Sequence, residues 1–270
     1  MTAQCYFINM ATAHDRCTHM RTMLDRLGLP HKQHLATTPD TLADTCARLG
    51  ITVVPDTLSI NEQACAISHI ALWDRIATGQ DDWALVLEDD VYLSADARDG
   101  IEFAIAQSGC GLIRVEHWQQ ARIQVSKRRI CDDAGRFALH VYYDDALGTA
   151  AYLLHRDGAK ALLSQVKTLS KPMDYILFNA ATPPQIDIQI LSPAVAIQSD
   201  KLTPALKDPR SPWSHISAPF DSSVQGPQTD RKKTLKAKLR QEYHNTAREI
   251  RAWRKGRKYM VVPMSDAGPL

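Results

Sequence analysis

The chain has 270 residues, of which 44% are hydrophobic and 23% are charged, and its formal net charge is +2 at pH 7. These values are typical of a globular protein with one large domain or a domain with an appendage, and they exclude a disordered or fibrous chain. The charge is unevenly spread, because residues 230–258 contain twelve Lys and Arg against three Asp and Glu. The rest of the chain therefore carries about seven net negative charges. An interaction that requires positive charge would have to use the C-terminal segment.

Cysteine usage and the first residues predict a cytoplasmic protein. Six cysteines are scattered without a CxxC pair, which is typical of small core residues in a reducing compartment and indicates neither a disulfide framework nor a zinc site. The N-terminal residues lack the basic region and long apolar run of a signal peptide. The sequence also contains no run of about 18 apolar residues, so we expect no membrane span.

The apolar pattern predicts strands and helices that alternate along the chain, which is typical of an α/β fold with a Rossmann-like opening. In chain order, the predicted strands are Cys5–Met10, Trp83–Leu87, Leu112–Val115, Phe137–Tyr142, Thr149–Leu154, Ile186–Leu191 and Ala194–Ile197. The predicted helices are Asp15–Leu27, Leu42–Leu49, Glu62–Ala77, Ala95–Gln107, Arg156–Val166 and Asp174–Ala181. A polar, basic segment follows Val115 and extends through Arg129, and no element is assigned to it.

The last quarter of the chain predicts an appendage. Pro, Ser and Gly accumulate from Lys207 to Thr229, which favours a domain at 1–205 and a linker at 206–229. A basic amphipathic helix is expected at 230–258, followed by a tail at 259–270. Its apolar residues recur every three or four positions: Leu235, Leu239, Tyr243, Ala247, Ile250 and Trp253. Such a helix is either merely solvated or an anchor on an anionic membrane surface, and we expect no nucleic acid partner because no recognition motif accompanies the charge.

Three consecutive acids follow the predicted strand at Trp83–Leu87. Glu88, Asp89 and Asp90 would lie at the C-terminal end of a buried parallel strand, where open α/β sheets bind ligands. Adjacent carboxylates repel one another unless a cation joins them, and oxygen ligands favour Mg²⁺ or Mn²⁺ shared with substrate phosphates. The alternative is a solvated acidic turn.

Five short motifs in a fixed order resemble glycosyltransferase family 25, the lipooligosaccharide galactosyltransferase-like family. The resemblance spans about Cys5 to Lys201. The matching residues are Ile8-Asn9 with Arg16; Ser68-His69 with Trp73; Val86-Leu87-Glu88-Asp89-Asp90; Ala151-Tyr152 with Gly158, Ala159 and Leu162; and Pro172-Met173-Asp174.

The resemblance implies a GT-A-like domain that transfers a hexose, most simply galactose from UDP-galactose, to a saccharide acceptor such as lipopolysaccharide or lipooligosaccharide core, with inversion at C1. It implies a bound Mn²⁺ or Mg²⁺. Asp90 is the expected metal ligand, and Glu88 would bind the metal, its water or the ribose. Asp89 belongs to the same nucleotide site, with no separate role assigned. The base for the acceptor hydroxyl would be Asp174, whose alternative is a simple N-cap of the following helix.

The other motif residues are expected near the donor. Asn9 and Arg16 suit a nucleotide, and Ser68 and His69 suit contacts to the donor or to the metal-binding acids. Reserve candidates are Glu116 and His117 for sugar recognition, and Asp187 and Asp200 for the base. Two other functions fit less of the sequence: a metal-dependent phosphohydrolase that uses the acid triplet, and an inactive glycosyltransferase-like scaffold.

Overall fold

The computed structural model describes residues 3–118, 122–144, 148–178, 187–202 and 246–270. Across these residues the chain forms a nine-stranded mixed sheet and two small two-stranded sheets. The strands are β1 Gln4–Asn9, β2 His31–Leu35, β3 Thr52–Val53, β4 Trp83–Glu88, β5 Val91–Leu93, β6 Leu112–Arg114, β7 Arg122–Cys131, β8 Ala138–Tyr142, β9 Ala151–His155, β10 Thr168–Leu169, β11 Ile188–Ser192, β12 Ala196–Gln198 and β13 Arg257–Val261. The helices are α1 His14–Arg26, α2 Leu42–Leu49, α3 Ile60–Thr78, α4 Ala97–Gln107, α5 Arg156–Gln165 and α6 Met173–Leu177, with a 3₁₀ turn at Ser199–Lys201.

The large sheet has the order β13-β7-β8-β11-β6-β9-β4-β1-β2. Strand β1 pairs in parallel with β2 and β4, whereas β9 runs antiparallel between β4 and β6. The strand that carries the acids was expected in a parallel sheet, and it has one parallel and one antiparallel neighbour. The C-terminal ends of β1, β4 and β6 and the N-terminal end of β9 therefore meet at one edge.

Both faces of the sheet are buried by helices. Because side chains alternate along a strand, Tyr6, Ile8 and Val86 pack on one face with residues of α2, α3, α5 and α6, while Phe7 and Leu85 pack on the other face with α1 and α4. This two-sided burial explains the nearly continuous apolar runs of β1 and β4.

Several predicted elements differ from the structure for identifiable reasons. Strand β2 was not predicted because its sequence, HKQHL, is polar, and β7 was not predicted because it lies in the basic segment before Arg129. Helix α3 begins two residues before the predicted Glu62, because Ser59 and Glu62 form a reciprocal capping box. Helix α6 ends at Leu177 rather than Ala181, and residues 179–186 lie outside the described part of the chain.

The C-terminal segment is joined to the domain. Residues 246–254 are helical, but the helix predicted to reach Lys258 ends before Gly256, whose φ of +70° turns the chain into β13. Strand β13 pairs antiparallel with β7, and the Ala194 amide donates to the Pro263 carbonyl at 2.8 Å. The predicted tail at 259–270 is thus part of the folded domain, while the predicted linker and helix residues 206–245 lie outside the described residues. In the described parts of the chain, each helix is too short or too polar to cross a membrane.

Candidate active site

A cavity of about 220 Å³ opens at the edge where β1, β4, β6 and β9 meet. It brings together Glu88 from the end of β4 and Asp174 from the first turn of α6, which lie 86 positions apart in the sequence. The other residues that line it are Glu62, Cys65, Trp118, Gly148, Thr149, Pro172, Met173 and Gln198. The predicted base and one of the predicted metal ligands therefore face one space.

Asp89 turns away from the cavity toward the first strand and helix. Its Oδ2 accepts a hydrogen bond from Asn9 Nδ2 at 2.7 Å, and its Oδ1 accepts one from Arg16 NH1 at 3.0 Å. The Asn9 amide also donates to the Ala13 carbonyl and accepts from Gln33 Nε2 at 2.7 Å, so its polar atoms are engaged within the protein. Asn9, Arg16 and Asp89 thus form one hydrogen-bonded group, with Asn9 buried and the Arg16 side chain 38% exposed, that fixes the start of α1 to the acidic turn.

Glu88 is held from three sides. Thr149 Oγ1 donates to its Oε1 at 3.0 Å, Gln198 Nε2 donates to its Oε2 at 3.2 Å, and His69 Nε2 lies 3.6 Å from Oε1. Burial raises the pKa of Glu88, but the contacts with His69 and Thr149 outweigh this effect and hold the pKa below its usual value. The contacts with Thr149, Gln198 and His69 therefore give the Glu88 carboxylate a fixed orientation.

Asp90 has the unsatisfied oxygen of the triplet. Its Oδ1 is buried and has no hydrogen-bond partner. Burial, followed by the charges of Glu88 and Asp89, raises the pKa of Asp90 to about 6. An orphaned carboxylate oxygen beside a second carboxylate fits a divalent cation that prefers oxygen ligands, such as Mg²⁺ or Mn²⁺.

A second set of potential metal ligands shares Glu88. The ligand atoms of Cys65, His69 and Glu88 all lie within 4.8 Å of one another. The Cys65 side chain is exposed, and its sulfur is a softer donor than the oxygen atoms that Mg²⁺ and Mn²⁺ prefer. The carboxylates are therefore the better donor set for such an ion.

Asp174 does not occupy the predicted N-cap position. Pro172 is the N-cap of α6, and Asp174 lies in the first turn, where its Oδ1 accepts a hydrogen bond from the Tyr175 amide at 2.9 Å. The carboxylate lines the cavity, so the interpretation of Asp174 as an N-cap is wrong.

Ser68 is among the sequence candidates but not among the residues that line the cavity. It is buried, and its hydroxyl donates to the Ala64 carbonyl at 2.7 Å while accepting from the Thr37 amide at 2.8 Å. Its side chain therefore joins α3 to the segment after β2.

The reserve candidates occupy separate places. Glu116 is fully buried behind the cavity wall, where its Oε2 accepts from the Ala150 amide at 3.1 Å, and burial raises its pKa to about 7. His117 Nδ1 contacts the Val262 carbonyl at 2.9 Å. Asp187 lines a different cavity beside Cys110, and Asp200 pairs with Lys201 at 2.9 Å.

Sequence reasoning did not identify four side chains that shape the site. Trp118 and Thr149 line the cavity after β6 and before β9. Gln198, at the end of β12, is brought to the acids because β12 pairs with β5, and it accepts a hydrogen bond from Lys201 Nζ. The ammonium group of Lys201 lies 4.2 Å above the Trp118 ring. The sequence could have indicated these residues only by their positions near the ends of strands. The order of strands in the sheet is needed to show that these ends meet.

Comparisons with known proteins agree with the motifs. The family model described as glycosyltransferase family 25 (LPS biosynthesis protein) matches residues 2–177. A Haemophilus influenzae protein named only as a glycosyltransferase is 26% identical over 88% of this chain and 83% of its own length. The lipooligosaccharide biosynthesis protein lic2B of Haemophilus influenzae is 24% identical over 74% of this chain and 77% of its own length.

Two further matches cover smaller shares of this chain. The lacto-N-neotetraose biosynthesis glycosyltransferase LgtB of Neisseria meningitidis is 26% identical over 65% of this chain and 68% of its own length. Among solved structures, a Drosophila beta-1,4-galactosyltransferase 7 mutant in complex with manganese, UDP-Gal and xylobiose has a TM-score of 0.29 and 13% identity, over 60% of this chain and 52% of that chain. With a matched family model over about two thirds of its length, the chain belongs to glycosyltransferase family 25.

Proposed function

We propose that the protein is a metal-dependent, inverting hexosyltransferase with a GT-A-like domain, which transfers galactose from UDP-galactose to a saccharide acceptor such as lipopolysaccharide or lipooligosaccharide core. The family membership supports the glycosyl transfer, and the motif resemblance implies the donor. The observation that supports the mechanism is that Asp174 and Glu88 line the same cavity.

Asp90 and Glu88 are the residues that would hold Mn²⁺ or Mg²⁺. Such an ion, when bound, stabilises negative charge on the departing diphosphate as a Lewis acid. The chain contributes the orientation of the acids: Thr149 and Gln198 fix Glu88, while Asn9 and Arg16 fix Asp89. Because Asn9 is buried and the polar atoms of its amide are engaged, we assign it to holding the acidic turn, whereas the Arg16 side chain is 38% exposed and is kept as the contact for the donor phosphate or base.

Asp174 supplies the base in this proposal. Its Oδ1 accepts the Tyr175 amide, and its carboxylate lines the cavity, where it can take the proton of an acceptor hydroxyl. The hydroxyl oxygen then bonds to C1 of the sugar as the bond from C1 to the diphosphate breaks. Attack on the face opposite the diphosphate inverts C1, and general-base catalysis of this kind contributes roughly 10²–10⁴-fold to the rate.

The test separates metal, base and acceptor. With Mn²⁺ and a panel of UDP-sugars, we expect calorimetric binding and transfer with UDP-galactose. Asp90→Asn should lose Mn²⁺-dependent UDP binding. Asp174→Asn should keep that binding and lose transfer, whereas Asp187→Asn, in a different cavity, should be unaffected. Transfer that survives in Asp90→Asn would contradict the metal assignment, and unchanged turnover in Asp174→Asn would remove the base.

The same assay distinguishes the alternative functions. A metal-dependent phosphohydrolase would release phosphate without an acceptor sugar. An inactive scaffold would bind neither UDP nor Mn²⁺. Either result would overturn the proposed transferase.

We further propose that the enzyme works at the cytoplasmic face of an anionic membrane, bound through a basic-aromatic surface formed by residues 122–131 and 246–258. This surface contains ten Lys and Arg against one acid, Glu249. A groove of about 360 Å³ crosses it, and Trp253 and Ile250 are 67% and 50% exposed there. Exposed Trp and Ile among cations fit a lipid interface, where each basic residue near the surface contributes about 1 kcal/mol.

Vesicle binding tests this surface. We expect the protein to bind phosphatidylglycerol vesicles in preference to neutral phosphatidylcholine vesicles, and more weakly as salt is raised. Trp253→Ser with Ile250→Ser should reduce binding. Leu35→Ser is the matched control, because Leu35 is 61% exposed on β2 at the opposite edge of the sheet. Equal loss in the control, or binding to duplex DNA in place of vesicles, would refute the proposal.

A further inference from the structure

Three of the sequence motifs meet in one buried chain of side chains. Trp73 Nε1 donates to the Tyr152 hydroxyl oxygen at 2.8 Å, and that hydroxyl lies 3.0 Å from His69 Nδ1. The other ring nitrogen of His69, Nε2, lies 3.6 Å from Glu88 Oε1. Trp73 and Tyr152 are fully buried, and His69 is 1% exposed. Helix α3, strand β9 and the end of β4 are thereby linked at the acidic turn.

The hydrogen atoms of this chain can be assigned from its donors and acceptors. The indole N–H of Trp73 can only donate. Among the described residues, the Tyr152 oxygen has two hydrogen-bond partners, Trp73 and His69. The Tyr152 hydrogen therefore has one acceptor within reach, which is His69 Nδ1. A neutral imidazole that accepts at Nδ1 carries its hydrogen at Nε2.

We infer that His69 is a positioning residue, held as the Nε2–H tautomer by Trp73 and Tyr152, which orients the carboxylate of Glu88 and does not itself bind the metal. This inference rests on the proposed function, because it concerns how Glu88 is presented to the donor site. In the structure Nε2 is buried without a hydrogen-bond partner. A small shift of Glu88 toward it when the donor site fills would complete the bond and remove the cost of a buried, unpaired N–H group.

The tautomer decides between the two possible roles of His69. If His69 Nε2 bound a metal together with Cys65 and Glu88, the ring hydrogen would move to Nδ1. That hydrogen would point at the Tyr152 oxygen, and the Tyr152 hydrogen would then lose its acceptor within a buried site. The Trp73–Tyr152 pair thus opposes metal binding by His69 and favours its use as a donor.

Nitrogen NMR of the histidine rings tests the tautomer directly. In ¹⁵N-labelled protein, with the His69 signals assigned by their absence in His69→Gln, we expect an unprotonated Nδ1 and a protonated Nε2 near neutral pH. Addition of Mg²⁺ and UDP should leave this pattern unchanged. A protonated Nδ1, or loss of the Nε2 hydrogen when Mg²⁺ is added, would overturn the inference.

Metal affinity, measured by calorimetry with Mn²⁺ and UDP, tests the role. His69→Gln retains a donor, and we expect it to bind Mn²⁺ about as tightly as the wild type. His69→Leu should weaken Mn²⁺ binding roughly 10–100-fold, which is typical when a residue that hydrogen-bonds a metal ligand is lost. Cys65→Ser should have no effect. The inference would be refuted if His69→Gln and His69→Leu weakened Mn²⁺ binding equally and Cys65→Ser also weakened it. That result would identify His69 and Cys65 as metal ligands.

Two controls keep the results separable. His140 is a buried histidine on β8 whose Nδ1 contacts the Ser126 carbonyl, so His140→Gln should leave Mn²⁺ affinity unchanged. A wild-type protein that binds no Mn²⁺ with UDP would overturn the proposed function, and the NMR pattern would then decide the tautomer by itself.

Discussion

Three consecutive carboxylates, Glu88, Asp89 and Asp90, have different neighbours and therefore different environments. Glu88 accepts hydrogen bonds from Thr149 and Gln198. Asp89 pairs with Arg16, and only Asp90 retains a buried oxygen without a partner. Under the proposed function, Asp90 would therefore be the acid that holds the cation, beside two acids that are fixed by their own partners.

Glu116 provides a pH-dependent prediction at the residue scale. Its folded pKa of about 7 lies above the usual value of 4.5, mainly because of burial, while Arg114 and Lys201 lower the pKa and Glu88 raises it. As pH rises from 4.5 to 7, the unfolded chain releases a proton that the folded protein keeps, so folding stability falls across this window and then levels off. We expect Glu116→Gln, which can still accept from Ala150, to be more stable than wild type at pH 8 by about 1–3 kcal/mol.

Urea denaturation at pH 5 and pH 8 would measure this effect, which should be much smaller at pH 5. Glu102→Gln, an exposed acid on α4 that pairs with Arg98, should show no comparable pH dependence. A Glu116→Gln protein that is less stable than wild type at pH 8 would contradict the raised pKa.

At the scale of elements, the sequence predicted those whose apolar pattern matches their burial. In the less regular segment after β2, the sequence predicts either a loop or a short helix around Leu42–Leu49, and the structure has helix α2 at these bounds. Strands β2 and β7 were not predicted, since their burial depends on position in the sheet. Strand β7 is exposed over its second half, so its KRRIC residues lack an apolar alternation.

Gly158 in α5 gives a prediction at the scale of helix packing. In most helices Gly→Ala stabilises by about 0.5–1 kcal/mol. Here a Cβ at residue 158 would lie 2.5 Å from the Gly111 carbonyl oxygen, which is backbone and has little freedom to move. We expect Gly158→Ala to lower the free energy of unfolding by about 1–3 kcal/mol.

Thermal and chemical denaturation would check this value. Gly109→Ala is the matched control, because a Cβ there meets no atom within 4 Å. Its stability should stay within about 0.5 kcal/mol of the wild type. If Gly158→Ala left the free energy of unfolding unchanged, α5 would be able to move away from Gly111 at little cost in free energy.

For the whole molecule, two of the residues that the motifs named line one cavity, but the motifs did not predict what surrounds them. Glu88 and Asp174 share a cavity, as the resemblance implied, although 86 positions separate them. Gln198 and Trp118 were not predicted, because they reach the site through the β12–β5 pairing and the turn after β6. The sequence predicts an appendage for the C-terminal residues because their composition gives no sign of a strand that pairs with the sheet. In the structure, β13 forms the edge strand beside β7.

Removal of residues 257–270 tests that role of β13. We expect this deletion to lower stability and promote aggregation, because it leaves the backbone of β7 unpaired at the sheet edge. Light scattering and thermal denaturation would measure both effects. The variant Arg257→Gln with Lys258→Gln removes charge and keeps the strand, so it should remain monodisperse. If it aggregates as the deletion does, charge rather than strand pairing protects this edge.

The contacts of residues 263–270 also constrain the order in which the enzyme matures during translation. The Ala95 amide donates to the Gly268 carbonyl at 2.6 Å, and the Leu270 amide donates to the Leu93 carbonyl at 3.3 Å. Both contacts support the strand that follows the acidic turn. A nascent chain makes its N-terminal elements first, yet this turn receives its last supports only after the ribosome has released these residues. If the protein has the proposed function, donor binding should therefore appear only after residues 263–270 have been synthesised.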